Sequence, residues 1–431
     1  MNASIIPTLG DAHVTDPSAP PAPASLPQRL ARHALHAGLA RIREGELRLI
    51  DGHQERRFGR ASDRCALSAT LRIHDARFYA DAAFGGSVGA GESYIRGGWS
   101  CDDLTALVRI MVRNRQALDG LEGGLALLSR PLLKLLHHLN RNTRRGSMRN
   151  IAAHYDLGNA LYGLMLDETM AYSCGIFERP NSTLLEASRA KFDAACRKLA
   201  LAPSDHLLEI GTGWGGLAIH AARHYGCRVT TTTISRAQHD LARERIAGAG
   251  LGDRVTLLLE DYRNLTGRFD KLVSIEMVEA VGARFLDGYF RQCSRLLADD
   301  GAMLLQAITI QDQLYEQALR CVDYIQRYIF PGSFIPSVTA LTASATRASD
   351  LKLFQLEDIG PHYARTLAEW RRNFCANLPQ VRALGFPDTF VRLWEFYLCY
   401  CEGGFAERQL GDVQMLLIKP RCRRAPLASV H

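Results

Sequence analysis

The sequence predicts an α/β fold with a doubly wound, mostly parallel seven-stranded sheet, a helical cap and a small N-terminal α+β domain. Two observations carry this prediction. Near the middle of the chain an apolar run breaks into glycines and then resumes with helical spacing, as at a strand, a tight turn and a helix start. From that point, short apolar strands alternate with helical segments, which favours parallel strands joined by helices.

The expected strands of the large sheet follow one another along the second half of the chain. They cover residues 206–212, 227–235, 255–261, 269–276 and 301–308, with 352–359 and 413–419 as paired edge strands. Residues 312–350 and 362–403 predict the helices of the cap. In the N-terminal domain, strands at 46–50 and 65–73 lie around a turn at Asp51-Gly52.

The glycine-rich turn after the first of these large-sheet strands is suited to a cofactor. Gly211, Gly213 and Gly215 carry no Cβ, so a ligand can lie against the backbone beside a helix N-terminus. A dinucleotide site would have an acidic residue about 20 residues further on, but strand 227–235 ends without one. The next helix also lacks the Lys-Ser or Lys-Thr pair that holds the phosphates of a nucleoside triphosphate.

S-adenosylmethionine remains as the cofactor that suits this turn, because it carries a nucleoside and an amino acid but no phosphate. The bulky Trp214 inside the turn is compatible with such a ligand. The third strand ends at Asp261, where a methyltransferase commonly binds the adenine amino group. The sequence therefore predicts a class I S-adenosylmethionine methyltransferase fold.

Composition and charge indicate which partners to expect. Of 431 residues, 47% are apolar, and the formal net charge is +7. No apolar run approaches the roughly 18 residues that span a bilayer, so a cytoplasmic protein is expected. The eleven cysteines lack metal-ligand spacing, and no metal site is expected.

One segment favours contact with a membrane surface. Leucines at 125–139 precede a basic cluster made of Arg141, Arg144, Arg145 and Arg149. A leucine-rich helix followed by arginines can lie in an anionic lipid interface. Basic residues are not interleaved with aromatic ones, as they are in sites that stack bases, so nucleic acid is not expected.

Six separated motifs follow one another in an order that one family shares. They are residues 154–159 (His-Tyr-Asp-Leu-Gly-Asn), 172–174 (Tyr-Ser-Cys), 211–216, 233–238 (Thr-Ile-Ser-x-x-Gln), 277–282 (Met-Val-Glu-Ala-Val-Gly) and 328–332. In these motifs the chain resembles the cyclopropane fatty acid synthases, S-adenosylmethionine-dependent enzymes that act on acyl chains of membrane phospholipids. The resemblance extends from about Arg29 to about Pro420.

The resemblance implies a set of residues around the cofactor. Tyr155 and Ser173 would lie near its methionine part, Gln238 at its ribose and Asp261 at its adenine. The full expected set is Tyr155, Ser173, Glu209, Gly211, Gly213, Trp214, Gly215, Thr233, Ser235, Gln238, Asp261 and Tyr262.

The resemblance also implies a bound bicarbonate that acts as the base. The residues expected around it are Cys174, Glu279, Gln306, Ile308 and Tyr363. Two positions depart from the best-known bacterial pattern, because Gln306 and Ala280 stand where those enzymes have histidine. Both substitutions resemble the subgroup that includes the plant cyclopropane synthases, in which an amide would serve as a donor to the anion.

The reaction implied is transfer of the cofactor's methyl carbon to the cis double bond of an unsaturated phospholipid acyl chain. Attack at one olefinic carbon leaves a carbocation on its neighbour, and loss of a methyl proton then closes a cyclopropane ring. Loss of another proton, or later addition of hydride, would give a methylene- or methyl-branched chain instead. Two other classes stay open, a methyltransferase of hydroxyl or amine groups and a lipid-binding protein whose enzyme domain has lapsed.

The chain is expected to divide into five parts. These are a disordered leader at 1–26, an N-terminal lipid-associating domain at 27–115, a leucine-rich and basic connecting segment at 116–150, the methyltransferase domain with its cap at 151–420, and a C-terminal tail at 421–431. Peripheral association with the inner face of the membrane is expected. Assembly as a homodimer stays open.

Overall fold

The structure, a computed structural model, describes residues 26–116 and 157–425. The expected leader, nearly all of the connecting segment with its arginine cluster, the Tyr155 position and the end of the tail lie outside these residues. Two sheets organise the described part, one of four strands and one of seven. No helix within the two described ranges has both the length and the apolar character needed to cross a membrane.

The N-terminal sheet has four strands with helices packed against it. Its elements are α1 (Leu26–Leu39), β1 (Gly45–Asp51), β2 (Gln54–Arg60), β3 (Ser68–Ile73), α2 (Arg77–Ile95), β4 (Trp99–Cys101) and α3 (Leu104–Arg113). The strand order is β2-β1-β3-β4, in which β1 is antiparallel to β2 and parallel to β3.

The turn at Asp51-Gly52 leads into a strand that the sequence did not predict. This strand, β2, pairs with β1, whereas the expected strand near 65–73 forms as β3 on the other side of β1. Only Phe58 is buried among the seven residues of β2. The strand therefore lacks the apolar alternation by which a strand is identified from sequence.

The large sheet confirms the predicted doubly wound arrangement. Its strands are β5 (His206–Ile210), β6 (Arg228–Thr233), β7 (Val255–Leu259), β8 (Phe269–Ile275), β9 (Leu297–Ile310), β10 (Lys352–Asp358) and β11 (Leu410–Ile418). They lie in the order β10-β11-β9-β8-β5-β6-β7. Strands β9, β8, β5, β6 and β7 are parallel, and β11 and β10 add antiparallel pairings at one edge. All seven expected strands form.

Helices cover the sheet and build the cap. They are α4 (Asn159–Met165), α5 (Leu184–Leu199), α6 (Gly216–His224), α7 (Arg236–Gly248), α8 (Leu286–Leu296), α9 (Asp312–Arg320), α10 (Tyr324–Tyr328), α11 (Val338–Ala348), α12 (Gly360–Ala376), α13 (Leu378–Ala383) and α14 (Asp388–Ala406). Helices α9 to α14 fall in the two stretches where the cap was expected. Three short 3-10 segments lie at Tyr262–Asn264, Val278–Ala280 and Ala283–Phe285.

A single apolar core joins the N-terminal sheet to the cap, with α14 packed against α2 and α3. The helices approach closely at Gly403, where a Cβ would lie 2.6 Å from Val108 Cγ1. Polar contacts flank this approach. Arg109 Nε lies 2.6 Å from Glu407 Oε1, and Arg392 Nε donates to the Tyr94 carbonyl at 2.5 Å. The position of the cap over the large sheet is therefore coupled to the N-terminal sheet.

We expect Gly403→Ala to destabilise the protein by about 1–3 kcal/mol, because the added methyl overpacks the contact with α3. Gly163→Ala is the matched control, since a Cβ there meets nothing within 4 Å. In a helix, glycine to alanine is neutral or stabilising at an open position. Thermal unfolding gives the melting temperature of each variant. Equal melting temperatures for Gly403→Ala and Gly163→Ala would contradict the close approach.

Candidate active site

The turn between β5 and α6 has the open backbone that a bound cofactor requires. Gly211, Gly213 and Gly215 have φ of +103°, +53° and +85°, values that L side chains rarely adopt. The backbone N–H groups of Gly211 and Thr212 donate to the Thr232 carbonyl at 3.0 and 3.1 Å and fix the turn to β6. A Cβ on Gly213 would meet nothing within 4 Å. The turn thus presents bare backbone to open space, which fits S-adenosylmethionine.

A cavity of ≈ 730 Å³ begins at this turn. Its wall contains nine of the residues expected around the cofactor, namely Ser173, Glu209, Gly211, Gly213, Trp214, Thr233, Gln238, Asp261 and Tyr262. Two other expected residues serve the helix starts, because Gly215 is the N-cap of α6 and Ser235 caps α7 by accepting from Gln238 N at 3.3 Å.

The cavity continues from the turn to apolar residues of the N-terminal sheet and of the helices packed on it. That part of the wall is apolar and includes Leu35, Leu39, Leu47, Leu49, Leu71 and Phe78. Side chains of α9 and α10 line it as well, among them Leu314 and Ile325. The cavity therefore has a polar end under the glycine turn and an apolar end made by the N-terminal sheet and the cap.

Trp214 and Asp261, both expected at the cofactor, are held by protein partners. Trp214 is buried, packs on Tyr162 with ring centroids 4.9 Å apart, and donates from Nε1 to Asn159 Oδ1 at 2.7 Å. Asp261 accepts from Arg263, whose Nε lies 2.8 Å from Oδ1. These bonds hold both side chains in place at the cavity wall.

Glu209 is a buried carboxyl group beneath the turn. It accepts from Thr231 Oγ1 at 2.6 Å, and Thr231 in turn lies 2.7 Å from Thr212 Oγ1. Burial raises the pKa of Glu209 to about 8. Nearby, the buried Lys191 donates to Ser173 Oγ at 2.5 Å, and burial lowers the pKa of Lys191. Lys191 was not predicted, since its position in an ordinary helical pattern carries no signal of a site.

Three donors expected to hold an anion converge on one side chain, Glu276. The Cys174 backbone N–H and Gln306 Nε2 both donate to Glu276 Oε1 at 2.8 Å. The Tyr363 hydroxyl donates to Glu276 Oε2 at 2.5 Å. Three of the predicted catalytic residues are thus brought together, around a carboxylate that the sequence did not single out.

Glu276 lies directly after β8 and has φ of +47°, a conformation that costs energy for a residue other than glycine. The carboxyl edge of a parallel sheet is where sites of open α/β folds form. An acidic residue ending a buried strand was therefore the available signal. Sequence reasoning assigned the function to Glu279 instead, three residues further on.

Two further carboxyl groups lie beside Glu276. Glu279 Oε1 accepts from the Ile308 backbone N–H at 2.6 Å. Its pKa is raised to about 8 by burial and by the neighbouring Glu276. Asp412, from β11, accepts from Gln306 Nε2 at 2.9 Å, and burial together with Glu276 raises the pKa of Asp412 well above its usual range. Both shifts favour the protonated form of these carboxyl groups.

Bicarbonate does not fit this arrangement. The donors assigned to it, Cys174 N, Gln306 Nε2 and Tyr363 OH, are already bound to the carboxylate of Glu276. A second anion would have to displace that side chain or lie against it, at a Coulombic cost in a buried site. The donors implied by the resemblance do lie together, and the carboxylate of Glu276 accepts their hydrogen bonds.

The sheet order, the glycine turn and the cavity define the class of the protein as a class I S-adenosylmethionine-dependent methyltransferase. Solved structures share this architecture. The cyclopropane synthase MmaA2 from Mycobacterium tuberculosis aligns with a TM-score of 0.59 and 29% identity over 63% of this chain and 98% of that chain. A mycolic acid cyclopropane synthase complexed with SAH and CTAB gives a TM-score of 0.59 and 32% identity, over the same shares.

The chain belongs to the mycolic acid cyclopropane synthetase family, which it matches over residues 142–415. The family resemblance of the sequence motifs is thereby confirmed. The tuberculostearic acid methyltransferase of Mycobacterium tuberculosis is 37% identical over 342 residues, 78% of this chain and 79% of that protein. The cyclopropane-fatty-acyl-phospholipid synthase of Escherichia coli is 35% identical over 352 residues, 80% and 86% of the two chains.

We expect Gly213→Arg to weaken S-adenosylmethionine binding by roughly tenfold or more, a loss of about 1.4 kcal/mol. The new side chain would enter the open space beside the turn. Gly252→Arg is the control, because this glycine is exposed and its Cβ would also meet nothing within 4 Å. Calorimetry gives both affinities, and unchanged binding by Gly213→Arg would remove the turn from the cofactor site.

We also expect Glu279→Gln to flatten the dependence of stability on pH. The folded protein keeps the Glu279 proton up to about pH 8, whereas an unfolded chain loses it near about pH 4.3. Between these values the folded state binds the extra proton, so the free energy of unfolding falls as pH rises.

The variant should therefore lose less stability than wild type between about pH 5 and about pH 8. Urea unfolding at a series of pH values measures this difference, which amounts to a few kcal/mol at most. Glu244→Gln, an exposed carboxyl on α7, is the control and should keep the wild-type slope. Identical slopes for wild type and Glu279→Gln would refute the raised pKa.

Proposed function

We propose that the protein transfers the methyl carbon of S-adenosylmethionine to the cis double bond of an unsaturated phospholipid acyl chain and closes a cyclopropane ring. One observation carries this proposal, the triply held carboxylate of Glu276 in the cavity wall. Its neighbour Met277 lies against the glycine turn, since a Cβ on Gly211 would be 3.3 Å from Met277. The base thus lies beside the cofactor end of a largely apolar cavity.

The cofactor supplies an electrophilic methyl group, and Glu276 supplies the acceptor for the proton that must leave. As the methyl C–H bond breaks, its electron pair forms the second ring bond to the cationic carbon, and the proton passes to Glu276. Cys174 N–H and Gln306 fix Oε1, while Tyr363 fixes Oε2. These three bonds occupy three of the four lone pairs of the carboxylate and hold it in place before the reaction begins, and the lone pair that remains, on Oε2, is proposed to take the proton.

Aromatic side chains at the cavity protect the cation from water. Tyr172 and Trp370 pack with ring centroids 5.0 Å apart, and Tyr172 and Tyr397 join their hydroxyls at 2.7 Å. Tyr363 packs on Phe405 with centroids 4.3 Å apart. Such aromatic side chains limit the access of water that would otherwise capture the carbocation.

A methylene- or methyl-branched product is the second candidate. A specific similarity favours it, since a relative of 37% identity is a tuberculostearic acid methyltransferase. The first bond-forming step is the same for both products. They differ in the later fate of the cation, and the same cavity and the same carboxylate serve either route.

The acyl chain is proposed to enter from a membrane surface, with the N-terminal sheet holding its apolar part. The leucines of β1 that line the cavity support this role for the N-terminal part. Peripheral attachment through the cluster at Arg141, Arg144, Arg145 and Arg149 is proposed from the sequence alone. Clusters of basic residues attract anionic lipids.

The proposal is tested by mass spectrometry of phospholipid acyl chains. Cells that express the protein and cells that do not are both grown with methyl-labelled methionine. A gain of one labelled methylene is expected in unsaturated chains, and NMR distinguishes a ring from a branch. A branched product would favour the second candidate. Unlabelled acyl chains, with label in hydroxyl or amine acceptors instead, would contradict both.

We expect Glu276→Gln to lower kcat by about 10²–10⁴-fold, the usual contribution of a general base. The amide keeps the size of the side chain, so cofactor affinity should change by less than about threefold. Glu244→Gln, exposed on α7, is the matched control. Wild-type turnover by Glu276→Gln would show that another group takes the proton.

A further inference from the structure

A row of buried polar side chains crosses the edge of the large sheet behind Glu276. It consists of Lys198, Gln414 and Gln306, and we call it the amide row. Lys198 Nζ donates to Gln414 Oε1 at 2.6 Å, Gln414 Nε2 donates to Gln306 Oε1 at 3.0 Å, and Gln306 Nε2 reaches Glu276 Oε1 at 2.8 Å. Its members are 9%, 1% and 0% exposed.

The register of the strands places these side chains. Gln414 of β11 lies directly opposite Gln306 of β9, and Lys198 comes from the last turn of α5, which packs on both strands. Directly opposed residues on one face are within reach of a hydrogen bond. The neighbours of these glutamines in both strands are mostly apolar, so two buried amides here need a physical reason.

Both ends of the amide row give its hydrogen bonds the same direction, because the ammonium group of Lys198 only donates and the carboxylate of Glu276 only accepts. An ammonium group donates and never accepts, so Gln414 must turn its oxygen toward Lys198. Its nitrogen then faces Gln306, which must turn its own oxygen to receive that bond. Gln306 is left with only its N–H groups to present to Glu276 and Asp412.

We propose that Lys198 and Gln414 are positioning residues that set the amide orientation of Gln306, and so the hydrogen bond that aims Glu276. The proposal rests on the function proposed above. A primary amide has nearly equal size in its two orientations, so packing alone does not choose between them. If the Gln306 amide were turned over, its oxygen would face Oε1 of Glu276. Two acceptors would then lie against each other, and Oε1 would lose the hydrogen bond from Gln306.

If Lys198 acted only through its ion pair with Glu357, removing the charge of Glu357 would have the same effect as removing Lys198. Glu357 lies on β10, opposite Gln414, and its side chain is 52% exposed. The Glu357 end of this ion pair is open to solvent, which screens its charge, whereas Lys198 is buried. Glu357→Gln leaves the bond from Lys198 to Gln414 in place, and it is therefore the control variant.

The first test is kinetic, with purified protein and vesicles of unsaturated phospholipid. We expect Lys198→Met to lower kcat by roughly tenfold or more, as for loss of one hydrogen bond to a charged group. KM for S-adenosylmethionine should stay near wild type, and Glu357→Gln should keep wild-type kcat. Adding Lys198→Met to Gln306→Leu should cause no further loss, because residues that act through one another are not additive.

The second test does not depend on activity. In a neutron crystal structure of Gln414→Glu, which distinguishes the amide nitrogen from the oxygen, the new carboxylate cannot donate to Gln306, so the Gln306 amide should turn and Nε2 should leave Glu276. An unchanged Nε2–Glu276 contact would overturn the proposal, as would wild-type kcat in Lys198→Met or losses that multiply with Gln306→Leu. A wild-type protein inactive on lipid would instead overturn the proposed function, and the neutron structure would still decide the orientation of Gln306.

Discussion

The arrangement of the site depends on one half-buried carboxylate, that of Glu276, with a donor for each of its oxygens. A carboxylate removed from water is costly unless hydrogen bonds replace its hydration. Here the loop that carries Cys174, strand β9 with Gln306 and helix α12 with Tyr363 each contribute a donor. The chain segments that meet at this point are far apart in sequence, and the large sheet brings them together.

The same constraint explains the protonation of the neighbours. Glu279 and Asp412 are close enough to Glu276 for their pKa values to rise, and burial raises them further. Each shift favours the neutral form beside the triply held carboxylate, which lessens the repulsion among the three acidic groups. The left-handed backbone at Glu276 directs this residue into the site, and the hydrogen bonds offset the strain.

Much of this fold could be predicted from sequence, because its strands are apolar runs and its turn is marked by glycines. Strand β2 could not be predicted from sequence, because it is polar along nearly its whole length. It is recognised only by its pairing with β1. For the site, Cys174, Gln306 and Tyr363 were predicted through the family resemblance. Glu276 was not predicted as a site residue, because in the sequence it resembles an ordinary polar residue at the end of a strand. The roles of Lys198 and Gln414 depend on strand register across more than a hundred positions of sequence, which local patterns do not reveal.

A carboxylate of the protein, that of Glu276, holds the donors expected to bind bicarbonate. The most direct test is turnover of the purified enzyme on unsaturated phospholipid vesicles in buffer depleted of carbon dioxide, with and without added bicarbonate. The structure predicts equal kcat under both conditions, because the donors are already bound to Glu276. Loss of turnover on depletion, restored by bicarbonate, would contradict this account.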